Sequence, residues 1–152
     1  MDSNALEQAI QLALDAHRGQ LDKAGAPYIL HPLRVMLRFY SQDERITAVL
    51  HDVIEDSPVT LDELRRSGFS EKIIGALDSL TKRDGESYEQ FIERAAANPL
   101  ARRVKLADLE DNLNLLRLSS LQPHDLDRLG KYREAWARLT RREERGEETD
   151  FT

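Results

Sequence analysis

The segment AVLHDVIEDSP carries His51, Asp52, Glu55 and Asp56 in one short stretch. On a helix wheel at about 100° per residue, with His51 at zero, Asp52, Glu55 and Asp56 fall at about 100°, 40° and 140°. Val53, Leu50, Ile46 and Ile54 gather on the other side, between about 200° and 300°. One face is apolar and the other holds an imidazole and three carboxylates. Two readings stand: a solvated acidic surface, or a face neutralised by a divalent cation that accepts both imidazole nitrogen and carboxylate oxygen. The chain has no Cys, which removes disulfides, thiolate nucleophiles and thiolate metal sites, so a metal must sit on His, Asp or Glu.

The chain has 4 His, and the other three differ in promise. His124-Asp125 follows Pro123 and has no second acid one turn on; Asp125 reads there as the N-cap of the last helix. His17 continues the apolar stripe of Leu6, Ala9, Ile10, Ala13 and Leu14 and reads as a hydrogen-bonded core histidine. His31, in PYILHP, stands at a helix threshold where Pro32 fixes the backbone and can aim the ring inward. In VKLADLEDNLNLL, Lys105, Asp108 and Asn112 share a face at i, i+3 and i+7. An Asp in so apolar a stretch needs a partner, because an unpaired buried carboxylate is costly. Lys105 supplies one as a salt bridge, and a metal would serve equally well.

These residues must be positioned by helices. The apolar stripe predicts a first helix over 5–18, with Asn4 and Glu7 as a capping box. Gly19, Gly25 and Pro27 break the chain before Pro32 opens a second helix through Leu33, Met36, Leu37 and Tyr40. A third runs over 44–55, and Thr60 with Glu63 caps a short helix that ends near Gly68. Helices over 71–80, 87–97 (Ser87 capped by Gln90), 99–118 and 126–142 complete the pattern, with 142–152 a frayed polar tail. No alternation suggests a sheet. The expectation is an all-α fold, one domain over 1–152.

Length and composition agree with that outline. The chain has 152 residues, 40% hydrophobic and 33% charged, room for one ordinary domain with a real core. No apolar run approaches the ~18 residues of a membrane span, and MDSNALEQAI has no secretory leader pattern. A cytoplasmic location is the expectation. A net charge of −6 argues against a general nucleic-acid binder. Locally, Arg94, Arg102, Arg103 and Lys105 form an acid-free stretch just after Lys82-Arg83, either a solvated face or an anion site.

Taken in order, AHRGQ…KAGAPYILHP, VLHDVIED, LTKR and VKLADLEDN resemble the HD-domain phosphohydrolases, and among them the hydrolase domain of the RelA/SpoT alarmone proteins and their stand-alone small relatives. The resemblance covers roughly residues 5–140. It implies a helical bundle with a mononuclear metal site between helices, formed by His31, His51, Asp52 and Asp108 around one divalent ion, usually Mn2+. It also implies that Glu55 and Asp56 orient and deprotonate the attacking water, and that Lys23, Thr81, Tyr88, Lys105 and Asn112 contact a small nucleotide substrate. The implied reaction removes the 3′-pyrophosphate of a (p)ppGpp-like nucleotide. A general HD nucleotide phosphatase releasing orthophosphate and a non-catalytic nucleotide sensor are the alternatives.

The chain departs from the family pattern at two places. Asp22-Lys23 stands where a basic pair is usual, which opens the base to guanine or adenine. Glu110 and Asp111 follow LAD where an uncharged residue and a His or Tyr are typical. The chain's length leaves no room for a synthetase domain, and its few remaining histidines leave a second metal without ligands. Oligomeric state is not legible.

Overall fold

The computed structural model describes residues 4–150, with 147–150 as backbone only. Its helices are α1 (Ala5–Ala16), α2 (Leu30–Leu37), α3 (Gln42–Leu50), α4 (Val53–Asp56), α5 (Leu61–Arg66), α6 (Glu71–Ser79), α7 (Tyr88–Ala97), α8 (Pro99–Asn112) and α9 (Pro123–Asp150), with a 3₁₀ turn at Leu115–Arg117. No strand occurs among the described residues, in keeping with the all-α expectation. No helix among them is long and apolar enough to cross a membrane.

α3 is the axis of the bundle and packs against α1, α2, α6 and α8. Ile46, Ala48, Val49 and Leu50 are wholly buried and form the centre of the larger core with Ala9, Ala13, Val35, Ile73, Leu77 and Val104. A second, smaller core of Ile92, Leu109, Ala135 and Leu139 fastens α9 to α7 and α8. Each large aliphatic residue buried this way contributes about 1.5–3 kcal/mol.

Local chemistry explains most helix ends. Thr60/Glu63 and Ser87/Gln90 both form reciprocal capping boxes. Asn98 accepts the Ala101 N–H ahead of Pro99, which starts α8 at a position where proline has no N–H to lose. At α1, Asn4 holds the N-cap position without a side-chain cap hydrogen bond, so the expected capping box is not formed.

α2 starts two residues ahead of Pro32 and ends before Tyr40; three larger departures from expectation have a physical cause. The helix expected over 44–55 breaks at His51-Asp52. His51 Nδ1 lies 2.5 Å from the Ala48 carbonyl oxygen, which also accepts the His51 N–H. That carbonyl would bond the residue-52 N–H in an unbroken helix; the imidazole takes it, and the chain restarts as α4. α8 ends at Asn112, where the Leu113 N–H closes on Leu109 O and the chain tightens into the 3₁₀ turn. α9 begins at Pro123 and continues to Asp150 instead of fraying from 142. Arg102 secures it from α8, donating Nε to Glu143 at 2.5 Å and Nη1 to Ala96 O at 2.8 Å. Residues 151 and 152 of the expected tail lie outside the described residues.

Candidate metal centre

Four side chains from three parts of the bundle meet at one point. α2 supplies His31, the α3–α4 break supplies His51 and Asp52, and α8 supplies Asp108. Each offers one ligand atom, and these atoms all lie within 4.8 Å of one another. His31, His51 and Asp108 are buried. His51 Nε2 lies 3.0 Å from Asp52 Oδ2 and 3.3 Å from Asp108 Oδ1. His31 Nε2 lies 2.9 Å from Asp108 Oδ1 and 3.8 Å from Asp52 Oδ2.

The outer nitrogens set the tautomers. His51 Nδ1 faces the Ala48 carbonyl and His31 Nδ1 faces Asp111 Oδ2 at 2.6 Å. Both partners are acceptors, so both Nδ1 atoms carry hydrogen and both Nε2 atoms turn toward the carboxylates. His51 Nε2 is buried and has no hydrogen-bond partner of acceptable geometry. Two lone-pair nitrogens directed at two carboxylate oxygens require something positive between them, either protons or a cation. Nitrogen and oxygen donors in this number suit a first-row divalent ion, and the residues present fit one.

Without a cation the cluster responds by shifting its protons. Burial opposes charge on His51, but Asp52 and Asp108 outweigh it and raise its pKa well above the ordinary value. His31 moves the same way, with burial outweighed by its hydrogen bonds to Asp108 and Asp111. Burial alone would raise Asp52, yet His51 beside it brings it down to about 2. Asp108 is likewise lowered well below the usual carboxylate range, against burial, by Lys105 and His51.

Asp108 divides its oxygens. Oδ2 accepts Lys105 Nζ at 2.8 Å, while Oδ1 faces the two imidazoles and accepts Asn112 Nδ2 at 3.1 Å. The salt bridge and the metal geometry therefore coexist on one side chain. Tyr28, from the loop before α2, donates its hydroxyl to Asp52 Oδ2. That loop turns on Gly19 and Gly25, at φ +80° and +85°. Its Asp22 is inward-looking, because Oδ1 accepts the N–H groups of Ala24 and Ala26 at 2.9 Å each. His17 is a buried core residue, with Nδ1 2.8 Å from Gln20 Oε1.

A cavity of about 330 Å³ opens beside the cluster, with His31 and Tyr28 in its wall. Lys23 and Asn112 line it, as do Arg34, Arg117, Arg128 and Tyr132. The last four carried no expectation from sequence. Arg34, three residues past His31, was the most findable of them by helical spacing. Lys105 lies apart from this lining, buried on Asp108. Thr81 also lies apart, its hydroxyl donating to Leu77 O at 2.8 Å. Tyr88 does too; its hydroxyl is buried without a partner and burial raises its pKa to about 12. Glu55 is exposed and accepts the Lys82 N–H at 2.6 Å. Asp56 lies one turn past Asp52, whose carbonyl accepts its N–H at 3.0 Å, and its pKa is raised by partial burial and by the Asp52 charge. His124 is exposed, and Asp125 is not the N-cap: it sits in the first turn of α9, where it accepts the Gln122 N–H at 2.8 Å and pairs with Arg128.

No family model matches the chain. It is 31% identical over 123 residues to guanosine-3′,5′-bis(diphosphate) 3′-pyrophosphohydrolase of Aquifex aeolicus, covering 73% of this chain and 18% of that protein. It is 33% identical over 140 residues to the bifunctional (p)ppGpp synthase/hydrolase SpoT of Escherichia coli, covering 83% of this chain and 20% of that protein. The chain thus spans about a fifth of the length of these relatives. A solved structure, described as a metazoan ortholog of SpoT that hydrolyzes ppGpp, superposes with a TM-score of 0.74 over 91% of this chain and 86% of its own, at 22% identity.

Proposed function

We propose that this chain, which belongs with the RelA/SpoT hydrolase domains of the HD type, is a metal-dependent hydrolase that removes the 3′-pyrophosphate from a (p)ppGpp-like nucleotide. The observation that carries the reading is the convergence of His31, His51, Asp52 and Asp108 on one point, with His31 also in the wall of the neighbouring cavity. We assign these four residues as ligands of one divalent ion, Mn2+ in the first instance. Such an ion lowers the pKa of water and draws charge from phosphoryl oxygens.

The protein's own residues account for the rest. Asp56 accepts the proton of the attacking water; its raised pKa makes it a stronger base than an ordinary aspartate. Glu55, tied to the Lys82 N–H, holds the loop after α6 against α4 and orients that water with Asp56. Lys23 meets the polyphosphate from the cavity wall, which Arg34 and Arg117 reach while held by Asp111 and Arg128 while held by Asp125. Asn112 bridges the cavity to Asp108, and Tyr132 with Leu115 and Leu129 offers an apolar wall for a base. Asp22 lines the cavity beside Lys23, with Oδ1 engaged by its own loop, so the base is guanine or adenine and the panel below decides. We propose the cytoplasm as the setting of this small-molecule reaction.

The test is incubation with Mn2+ and a panel of guanosine and adenosine 3′,5′-polyphosphates, with pyrophosphate and orthophosphate measured separately. Pyrophosphate release from at least one member is expected. Orthophosphate alone would point to a general nucleotide phosphatase. No turnover by Mn2+-loaded protein would point to a sensor.

A further inference from the structure

Asp111 is gripped from three sides. Its Oδ2 faces His31 Nδ1 at 2.6 Å, and Arg34 donates Nε to Oδ1 at 2.9 Å and Nη2 to Oδ2 at 3.0 Å. Arg117 donates to its main-chain carbonyl at 2.8 Å. The side chain is only 10% exposed. Burial opposes its ionisation, but the bonds from His31 and Arg34 hold its pKa far below the usual carboxylate range.

The arrangement joins two helices through two i, i+3 pairs. His31 and Arg34 lie on α2, Asp108 and Asp111 on α8, so the helix that presents Asp108 to one nitrogen of His31 also presents Asp111 to the other. His51 has no such support, since its Nδ1 meets only the neutral Ala48 carbonyl. The two imidazoles of the cluster are therefore unequal. A charged acceptor behind a histidine fixes its tautomer, locks the ring and raises its basicity as a ligand.

We propose that Asp111 is the positioning residue for His31: through Nδ1 it aims Nε2 at the cation position and makes His31 the stronger imidazole ligand, with Arg34 bracing the carboxylate. This rests on the reading of His31, His51, Asp52 and Asp108 as ligands of one divalent ion.

The test is Mn2+ binding to the full chain by calorimetry, with thermal denaturation of the metal-free protein run in parallel. Measurements are made well below each variant's melting temperature, where all protein is folded. Asp111→Ala should weaken Mn2+ binding about 10–100-fold. Asp111→Asn keeps an acceptor for Nδ1 but not the charge, and should recover part of that loss, leaving binding about 3–10-fold weaker than wild type. Glu110→Gln changes a neighbouring carboxylate that serves Arg38 and Trp136, and should leave the affinity within about twofold.

A purely structural Asp111 would lower the melting temperature without changing the affinity of the folded protein, and that result overturns the proposal while leaving the four-ligand reading intact. Should Asp111→Ala fail to fold, Asp111→Asn decides on the same criterion. Wild-type protein that binds no Mn2+ overturns the four-ligand reading, and this proposal with it.

Discussion

Replacing Asp108 with Ala removes the acceptor on which Lys105, Asn112, His31 and His51 all converge. Lys105 and Asp108 are 13% and 6% exposed at the side chain, so the ammonium is left inside the protein without its counter-charge. Removing one partner of a buried pair costs about 3–5 kcal/mol. At roughly 2–4 °C per kcal/mol for a domain of this size, the metal-free melting temperature should fall by roughly 6–20 °C.

The penalty should depend on pH in a defined way. Asp108 has a folded pKa below its unfolded value, so its contribution is present above about pH 4 and is lost as pH falls through the lowered folded value. His31 and His51 have raised folded values, so theirs is complete below about pH 6.5 and is lost as pH rises through them. Both are whole between about pH 4 and 6.5, where wild type and Asp108→Ala should differ most. The assay is calorimetric or circular-dichroism melting at pH 5.5 in a chelator, repeated with Mn2+. At a hundredfold excess over Kd, Mn2+ should stabilise wild type by about 2.7 kcal/mol, or roughly 5–11 °C, and the variant hardly at all. A variant that melts within about 2 °C of wild type in chelator, or that gains the same shift from Mn2+, would refute the electrostatic account of Asp108.

Other consequences of the cluster are as testable. Mn2+ must displace protons that the raised histidine pKa values retain; its affinity should therefore climb with pH, by up to about a hundredfold per unit while both imidazoles are protonated. Equal Kd values at pH 6 and 8 would rule out direct coordination by these rings. Asp56→Asn should reduce pyrophosphate release by about 10²–10⁴-fold with Mn2+ affinity preserved within a few-fold, measured by product assay and calorimetry on the same protein. Tyr28→Phe removes a hydroxyl donor from the ionised Asp52 and should cost about 1.5–3 kcal/mol in chelator, read by denaturant unfolding.

Features governed by neighbours in the chain were legible from the residues alone. The caps at Thr60 and Ser87 are i, i+3 chemistry, though the box expected at Asn4 did not form, and the apolar stripes that bury α3 and α1 follow the helical period. The ligand set was legible only in part. His51 and Asp52 stood out by their company, whereas His31 and Asp108, each a candidate on local grounds, were joined to them by resemblance to a known arrangement, because nothing local says that α2 and α8 touch. Features made by long-range contacts went unread. Arg102 reaching Glu143 extends α9 past the polar stretch expected to fray.

Around His51 the backbone keeps helical angles, yet side chains that a helix wheel separates still meet. The wheel treats residues 51–56 as one rigid face, on which Asp52 points about 100° away from His51. In the fold His51 Nδ1 bonds the Ala48 carbonyl, and its Nε2 lies 3.0 Å from Asp52 Oδ2. The same bond fixes the ring's tautomer, so one contact both ends α3 and prepares the nitrogen for a cation. Asp111 is the counterpart on the other ring. Read as a sequence it was an extra charge in an unusual place, and a charge acquires a role only from what it faces, here His31 and Arg34. With Asp52, Asp108 and Asp111 set against Lys105 and Arg34, the two protons retained by the imidazoles are the part of the positive charge that can leave. A divalent cation held by His31, His51, Asp52 and Asp108 would supply positive charge in place of those protons.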